Sequence, residues 1–230
     1  MDTDMNNKLE TKNMYSGPRI LVMTAVSVER DAVLRGLNGS SRFDVVVAGV
    51  GPIAAAVSTA KKLATGDYGL VVSAGIAGGF ADRAEVGSLV VASEMVGADL
   101  GVQTAEGFSS LDELNYGITR VQVEPALAAW VTGALLHAGL QAITGPVLTV
   151  STATGTTVTA MELAARVPDA AAEAMEGFGV AAAAREYGLP VLEIRAISNQ
   201  VGPRDLSAWK FKEALDALAS ASAVLTEVLQ

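Results

Sequence analysis

From Arg19 onward the chain alternates short β-branched apolar runs with alanine-rich stretches whose apolar positions recur at helical spacing. The runs "ILVMTAV" (Ile20–Val26), "FDVVVAG" (Phe43–Gly49), "GLVVSAG" (Gly69–Gly75) and "GSLVVAS" (Gly87–Ser93) predict four buried strands. Ser27 is placed to cap a helix reaching about Leu37, with Glu29 in its first turn, and Pro52 suits the first position of a helix to about Ala64. Between about Leu100 and Arg120 polarity rises and periodicity fades, which predicts a long, mobile loop near a site. The second half predicts a helix from Pro125 to about His137, a strand near Val147–Ser151, a helix over Thr157–Arg166 and a short strand around Ala170–Met175. A helix over about Phe178–Tyr187, an apolar strand from Val191 and a last helix capped by Ser207 complete the chain. Strands alternating with helices predict a mostly parallel sheet covered on both faces, and such sheets bind ligands beyond the carboxyl ends of their strands.

One of these strands breaks its own pattern. In "EIRAISNQVG" (Glu193–Gly202), Arg195 sits among residues that ask to be hidden from water, and Asn199 closes the run. A buried guanidinium without a counter-charge is prohibitively costly, so Arg195 requires a carboxylate partner. Glu29 is the preferred partner. Glu193 is the weaker one, because strand residues two apart share a face but sit well separated.

The 230 residues, half of them apolar, suit one α/β domain over residues 19–230, preceded by a polar, aperiodic extension over residues 1–18. The net charge of −9 argues against a grip on nucleic acid phosphates and favours a small-molecule ligand. The chain has no cysteine and a single histidine, His137, which excludes thiolate chemistry and a histidine-based zinc site. No apolar run reaches the ~18 residues of a membrane span, and the N-terminus lacks the basic and apolar regions of a signal peptide. A soluble cytoplasmic protein is the expectation.

Two glycine motifs follow strands. "GVGPIA" (Gly49–Ala54) matches a dinucleotide fingerprint, but the first strand lacks the glycines and the next ends in Ser73, Ala74 and Gly75 rather than an acid. Tight strand-to-helix packing is the competing reading. "SAGIAGGF" (Ser73–Phe80) collects small residues at a strand end, which permits close approach of a ligand, or serves a tight turn alone.

"AVSVERDAV", "SAGIAGGF" with "VGSLVVAS", "AAAEAMEGFGVA" and "PVLEIRAISN", in this order, resemble the purine nucleosidase and nucleoside phosphorylase superfamily over about residues 19–230. Within it, "EAMEGFGVA" with "RAISNQVG" is most similar to the futalosine hydrolases. The resemblance implies a single three-layer α/β domain with a central mixed, partly barrel-like β-sheet flanked by helices. It also implies a homodimer or larger assembly, and cleavage of an N-ribosidic bond without metal or cofactor. For the futalosine hydrolases that reaction releases hypoxanthine and dehypoxanthine futalosine in menaquinone biosynthesis.

The resemblance also distributes roles. Glu176 lies where the family holds the ribose hydroxyls, with Met175 packing on the sugar; such a carboxylate favours the positive charge growing on the ribose. Glu29 matches the carboxylate that positions and deprotonates water. It would repel a phosphate dianion, and Ile76, where other members carry serine, offers phosphate no side-chain hydrogen bond. Gly75, Ile76, Ala77 and Gly78 are expected to bind substrate where the strand end permits close approach, and Thr152, Thr154 and Thr156 lie where the family lines the base pocket. Asn199 stands where adenine-releasing relatives have an aspartate; its amide donates to nitrogen-7 and oxygen-6, which selects a 6-oxopurine. Ala174 replaces a family glutamate, and Asp99 is structural as readily as functional.

Arg204, Lys210 and the loop around Phe108 are candidates for gripping the carboxyphenyl extension of futalosine. Trp209, Phe211 and Phe80 either cover the site or fill the core, with core preferred, and His137 belongs at a core edge or the surface. Two alternatives stand beside hydrolysis: a phosphorylase of 6-oxopurine nucleosides, and a nucleoside-binding protein without turnover.

Overall fold

Apolar residues open the fold: after Arg19, every side chain of β1 (Arg19–Thr24) is buried. The computed structural model describes residues 19–229, so the extension expected over residues 1–18 lies outside the described residues. Helix α1 spans Ser27–Leu37 with Val26, not Ser27, at its cap position. The capping work falls to Glu29, whose carboxylate accepts the Val26 N–H at 3.2 Å. There follow β2 (Phe43–Val47), α2 (Pro52–Leu63, with the proline in its first turn) and β3 (Tyr68–Gly79). β3 is longer than its sequence pattern predicts. The glycine-rich stretch to Gly79, expected as a loop, continues as strand because neighbours hydrogen-bond it on both edges.

β4 (Leu89–Gly97) leads to a hairpin of β5 (Gly101–Thr104) and β6 (Gly107–Ser110), then to β7 (Arg120–Gln122) paired on β4. The expected long loop therefore contains a hairpin over Gly101–Ser110, while residues 111–119 are turns and irregular chain. No side chain of the hairpin strands is fully buried, so the two-residue apolar alternation that marks a half-buried strand is missing there. Helix α3 (Pro125–His137) leads to β8 (Ala142–Thr149), which starts earlier than predicted because Gly145 and Pro146 read as breakers. Its pairing with β4 is irregular at that point, where a proline is tolerated. Helix α4 (Thr157–Arg166), β9 (Ala172–Ala174), α5 (Gly177–Glu186) and β10 (Val191–Gln200) come next. Ser207 lies in a short 3-10 turn (Leu206–Ala208) and does not start the last helix, α6, which spans Phe211–Val228 behind Lys210.

The pairing path runs β10-β4-β8-β9-β3-β1-β2, and β10 also pairs with β3, so five of these strands close into a small barrel. The sheet is mixed. β1, β3 and β10 run parallel, whereas β10 meets β4, and β3 meets β9, antiparallel. The carboxyl ends of the parallel strands β1, β3 and β10 gather at one rim. Helices α1 and α6 pack together on one side, and α2 and α5 on another, around one continuous apolar core. A second cluster, with Phe80, Leu148, Leu163 and Val201, lies under α4, so Phe80 is a core residue.

Gly36 is where α1 touches α6. A β-carbon there would lie 2.0 Å from the Ala219 carbonyl oxygen, a backbone atom that cannot rotate away. Gly36→Ala is expected to destabilise the protein by about 1–3 kcal/mol, despite the ~1 kcal/mol that alanine gains in helix propensity. Thermal unfolding should register it as a fall of roughly 2–4 °C per kcal/mol; an unchanged or raised midpoint would mean the helices separate at little cost.

Candidate active site

Arg195 is one of the largest fully buried side chains of the described residues, 1% exposed, and every branch of it is engaged. Its Nε donates to Glu193 Oε1 at 2.8 Å, Nη1 to Glu176 Oε2 at 3.2 Å, and Nη2 to the Ser73 hydroxyl at 3.1 Å. The expected hydrogen-bonded partner, Glu29, is not among them, and the disfavoured Glu193 is. Two residues apart on one face of a strand is beyond reach for short side chains. Arginine and glutamate, however, are long enough to lean along the strand and meet. Burial opposes the Arg195 charge, but Glu193, Glu176 and Glu29 together hold its pKa above the ordinary guanidinium value. Burial pushes the Glu193 carboxyl up, with Arg195 opposing, and among the described residues its Oε2 has no hydrogen-bond partner.

Glu29 approaches the same guanidinium through space rather than through a hydrogen bond. Its carboxylate is gripped by backbone: Ala25 and Val26 N–H donate to Oε2 at 2.9 and 3.2 Å, and Ile76 N–H to Oε1 at 2.9 Å. Burial raises its pKa, and this outweighs the lowering effects of Arg195 and the backbone donors. Gly75 makes the arrangement possible. A β-carbon there would stand 2.6 Å from Glu29 Oε1 and 2.7 Å from Arg195 Nη1.

Glu176, two residues past β9 at the cap position of α5, is also buried. Beyond Arg195 it accepts the Gly51 N–H at 3.2 Å. The "GVGPIA" motif thus contributes a backbone donor to the cluster, and Gly51, at φ 93°, precedes α2 in a conformation that favours glycine.

Asn199 is re-aimed by a bulge. Ile197 pairs with Ala77 and Asn199 with Gly78, so Ser198 is the extra residue. The Ser198 hydroxyl donates to Asn199 Oδ1 at 2.8 Å, and Asn199 Nδ2 donates to the Gln200 carbonyl at 2.9 Å. One amide hydrogen therefore remains for a ligand, not the two expected from sequence. Gly78 is flanked in register by Asn199 on β10 and Glu173 on β9. Its missing side chain leaves a slot between them, since a β-carbon there would meet Val201 at 2.9 Å and Asn199 Nδ2 at 3.2 Å.

Around that slot lies a cavity of about 220 Å³ whose wall includes Glu29, Ile76, Ala77, Gly78, Thr154, Met175, Glu176 and Asn199. These expected site residues are brought together. Gly75 and Arg195 lie beneath the wall, and Thr152 faces a neighbouring cavity with Asp99 instead. Thr156 caps α4, accepting the Thr159 N–H at 3.1 Å. Asp99 accepts the Ser151 N–H at 2.6 Å, His137 is exposed, and Phe211 is 45% exposed rather than core.

The wall also holds residues the sequence reading did not assign to it. Trp209, expected in the core, lines the cavity, as do Val50, Ser198 and Glu173. Glu173 accepts hydrogen bonds from both the backbone N–H and the hydroxyl of Thr154. Burial raises its pKa, and the Thr154 bonds oppose that rise. An acid in the apolar-flanked "AAAEAM" was the available signal for Glu173.

Residues 28–230 match the family model described as the Phosphorylase superfamily. A futalosine hydrolase of Streptomyces coelicolor is 48% identical over 92% of this chain and 96% of its own length. A futalosine hydrolase of Acidothermus cellulolyticus is 43% identical, covering 89% of each chain. Among solved structures, a 5'-methylthioadenosine/S-adenosylhomocysteine nucleosidase from Colwellia psychrerythraea, in complex with adenine, superposes with a TM-score of 0.78. It is 25% identical, over 94% of this chain and 96% of that one.

Removing the guanidinium leaves buried carboxylates uncompensated. Arg195→Met is expected to cost about 3–5 kcal/mol in urea unfolding, as for a broken buried pair. A loss of about 1 kcal/mol or less, the scale of an exposed pair, would contradict the network described.

Proposed function

The chain belongs to the Phosphorylase superfamily, and on that premise we propose that it hydrolyses the N-ribosidic bond of futalosine, releasing hypoxanthine and dehypoxanthine futalosine. The observation that carries this reading is Glu29: a buried carboxylate, fixed by backbone donors, in the wall of the same cavity as Glu176 and Asn199. Glu29 takes a proton from water as it attacks the anomeric carbon, the N-ribosidic bond breaks, and the departing base is protonated through water. A raised pKa suits Glu29 to that task. Phosphate is a poor alternative nucleophile, because Glu29, Glu173 and Glu176 would all face the dianion and the nearby Arg195 donors are already engaged.

Glu176, oriented by Arg195 and Gly51, accepts the ribose hydroxyls and favours the positive charge of the oxocarbenium-like transition state. Met175 packs on the sugar, and Gly75 to Gly78 with Thr154 form the floor and side of the base site. Asn199 directs its one remaining amide hydrogen at oxygen-6 of the leaving base. Across Gly78, the Glu173 carboxylate offers an acceptor to N1–H, which a 6-oxopurine has and adenine lacks. The reading takes in a place in menaquinone biosynthesis, a cytoplasmic setting and a homodimer or larger assembly. The exposed apolar face of α2 supports the last, with Ile53 80% and Val57 64% exposed.

Pure protein in phosphate-free buffer is expected to release hypoxanthine from futalosine, followed by chromatography; release only on adding phosphate would contradict hydrolysis. Glu29→Gln should lower kcat by about 10²–10⁴ while substrate still binds, and a wild-type rate would remove the base. Because Glu29 works deprotonated and its pKa is raised, kcat/KM should fall as pH drops through a value above the ordinary glutamate range. Asn199→Asp should shift the preference for oxygen over amine at the six-position by about 1–3 kcal/mol, read from paired kcat/KM values. An unchanged preference would dispose of Asn199 as selector.

A further inference from the structure

Futalosine carries an aryl carboxylate beyond its nucleoside. The cavity, at about 220 Å³, is below the roughly 300–1,000 Å³ of sites that enclose a whole ligand of drug size, so that extension must run past its mouth. The wall is hostile to a second anion wherever Glu29, Glu173 or Glu176 faces it, and among the described residues Arg204 is the one cation that lines it. Arg195 is fully buried and saturated by its own partners. Of the other sequence candidates, Phe108 lies under Arg166 at 3.6 Å beside a separate cavity. Lys210 stands at the cap of α6, outside the wall.

Arg204 and Trp209 share one short segment that is fastened at both ends beside the site. Val201 N–H donates to the Gly79 carbonyl at the end of β3 and Lys210 N–H to the Ser198 carbonyl on β10, each at 2.8 Å, so the segment leaves β10 just after Asn199 and returns just before it. The Arg204 guanidinium stands 5.7 Å from the centre of the Trp209 ring. Trp209 is half-buried and steadied by Phe211, with ring centres 5.0 Å apart. Among the described residues no carboxylate is in ion-pair contact with Arg204, which leaves its donors available to an incoming anion.

We infer that Arg204 and Trp209 form the subsite for the substrate's aryl carboxylate, the guanidinium pairing with the carboxylate and the indole packing on the aryl ring. The inference rests on the futalosine reading. A planar guanidinium matches a carboxylate with two parallel N–H donors, and a neighbouring aromatic face gives an aryl group apolar contact without burying charge.

The test compares futalosine with its carboxylate methyl ester, in the wild type, Arg204→Met and Arg204→Lys. Wild type should prefer the acid in kcat/KM by about 10- to 100-fold, the range of a charge-assisted hydrogen bond. Arg204→Met should bring the ratio near one, and Arg204→Lys should restore part of it. Trp209→Leu should weaken acid and ester alike, since the ring contact is blind to the charge. An equal ratio in wild type and Arg204→Met, or no preference in wild type, would overturn the subsite while leaving the hydrolase intact. Failure of the wild type to cleave either compound would overturn the functional reading and the subsite with it.

Discussion

A single buried guanidinium organises the site. Arg195 is shared between Glu193 on its own strand and Glu176 on the opposite wall, and stands close to Glu29 across Gly75. If all three acids were ionised, this buried group would carry one positive and three negative charges. Such an excess is costly away from water, and burial pushes both the Glu29 and Glu193 carboxyls up. The consequence is chemical. Arg195 keeps its hydrogen bonds for Glu193, Glu176 and Ser73, and Glu29 is left with backbone donors and a raised affinity for protons. In this account that is what a water-activating base requires.

The closed part of the sheet explains why such distant residues meet. Glu29 follows β1, the glycines end β3, Glu173 and Glu176 belong to β9 and the turn after it, and Asn199 ends β10. β3 touches all the others, because its first half pairs with β1 and its far end with both β9 and β10. The bulge at Ser198 turns Asn199 onto Gly78, and the same serine anchors the segment carrying Arg204 and Trp209. The end of one strand thus joins the segments that build the cavity wall.

Much of this was legible in the sequence. Buried strands and capped helices announce themselves through apolar runs and proline, and α3 and α4 match their predicted limits. The ordered motifs located Glu29, Glu176 and Asn199, which do share a cavity. What was hidden depended on tertiary reach. The Glu193–Arg195 pair looks implausible from strand spacing and becomes natural once the length of both side chains is counted. Glu173 is one acid in an alanine-rich stretch, and only its register across Gly78 from Asn199 puts it in the cavity wall. The hairpin over Gly101–Ser110 has no fully buried face and so carries no apolar rhythm. Trp209 reads as core by size, yet the fastening of Lys210 to Ser198 brings it to the cavity.

The account turns on solvent, rather than an inorganic anion, reaching the anomeric carbon beside Glu29. Turnover of futalosine in ¹⁸O-water with phosphate present tests this directly by mass spectrometry of the released sugar. The prediction is one ¹⁸O at the anomeric hydroxyl and no sugar phosphate. An unlabelled sugar 1-phosphate as the product would contradict it.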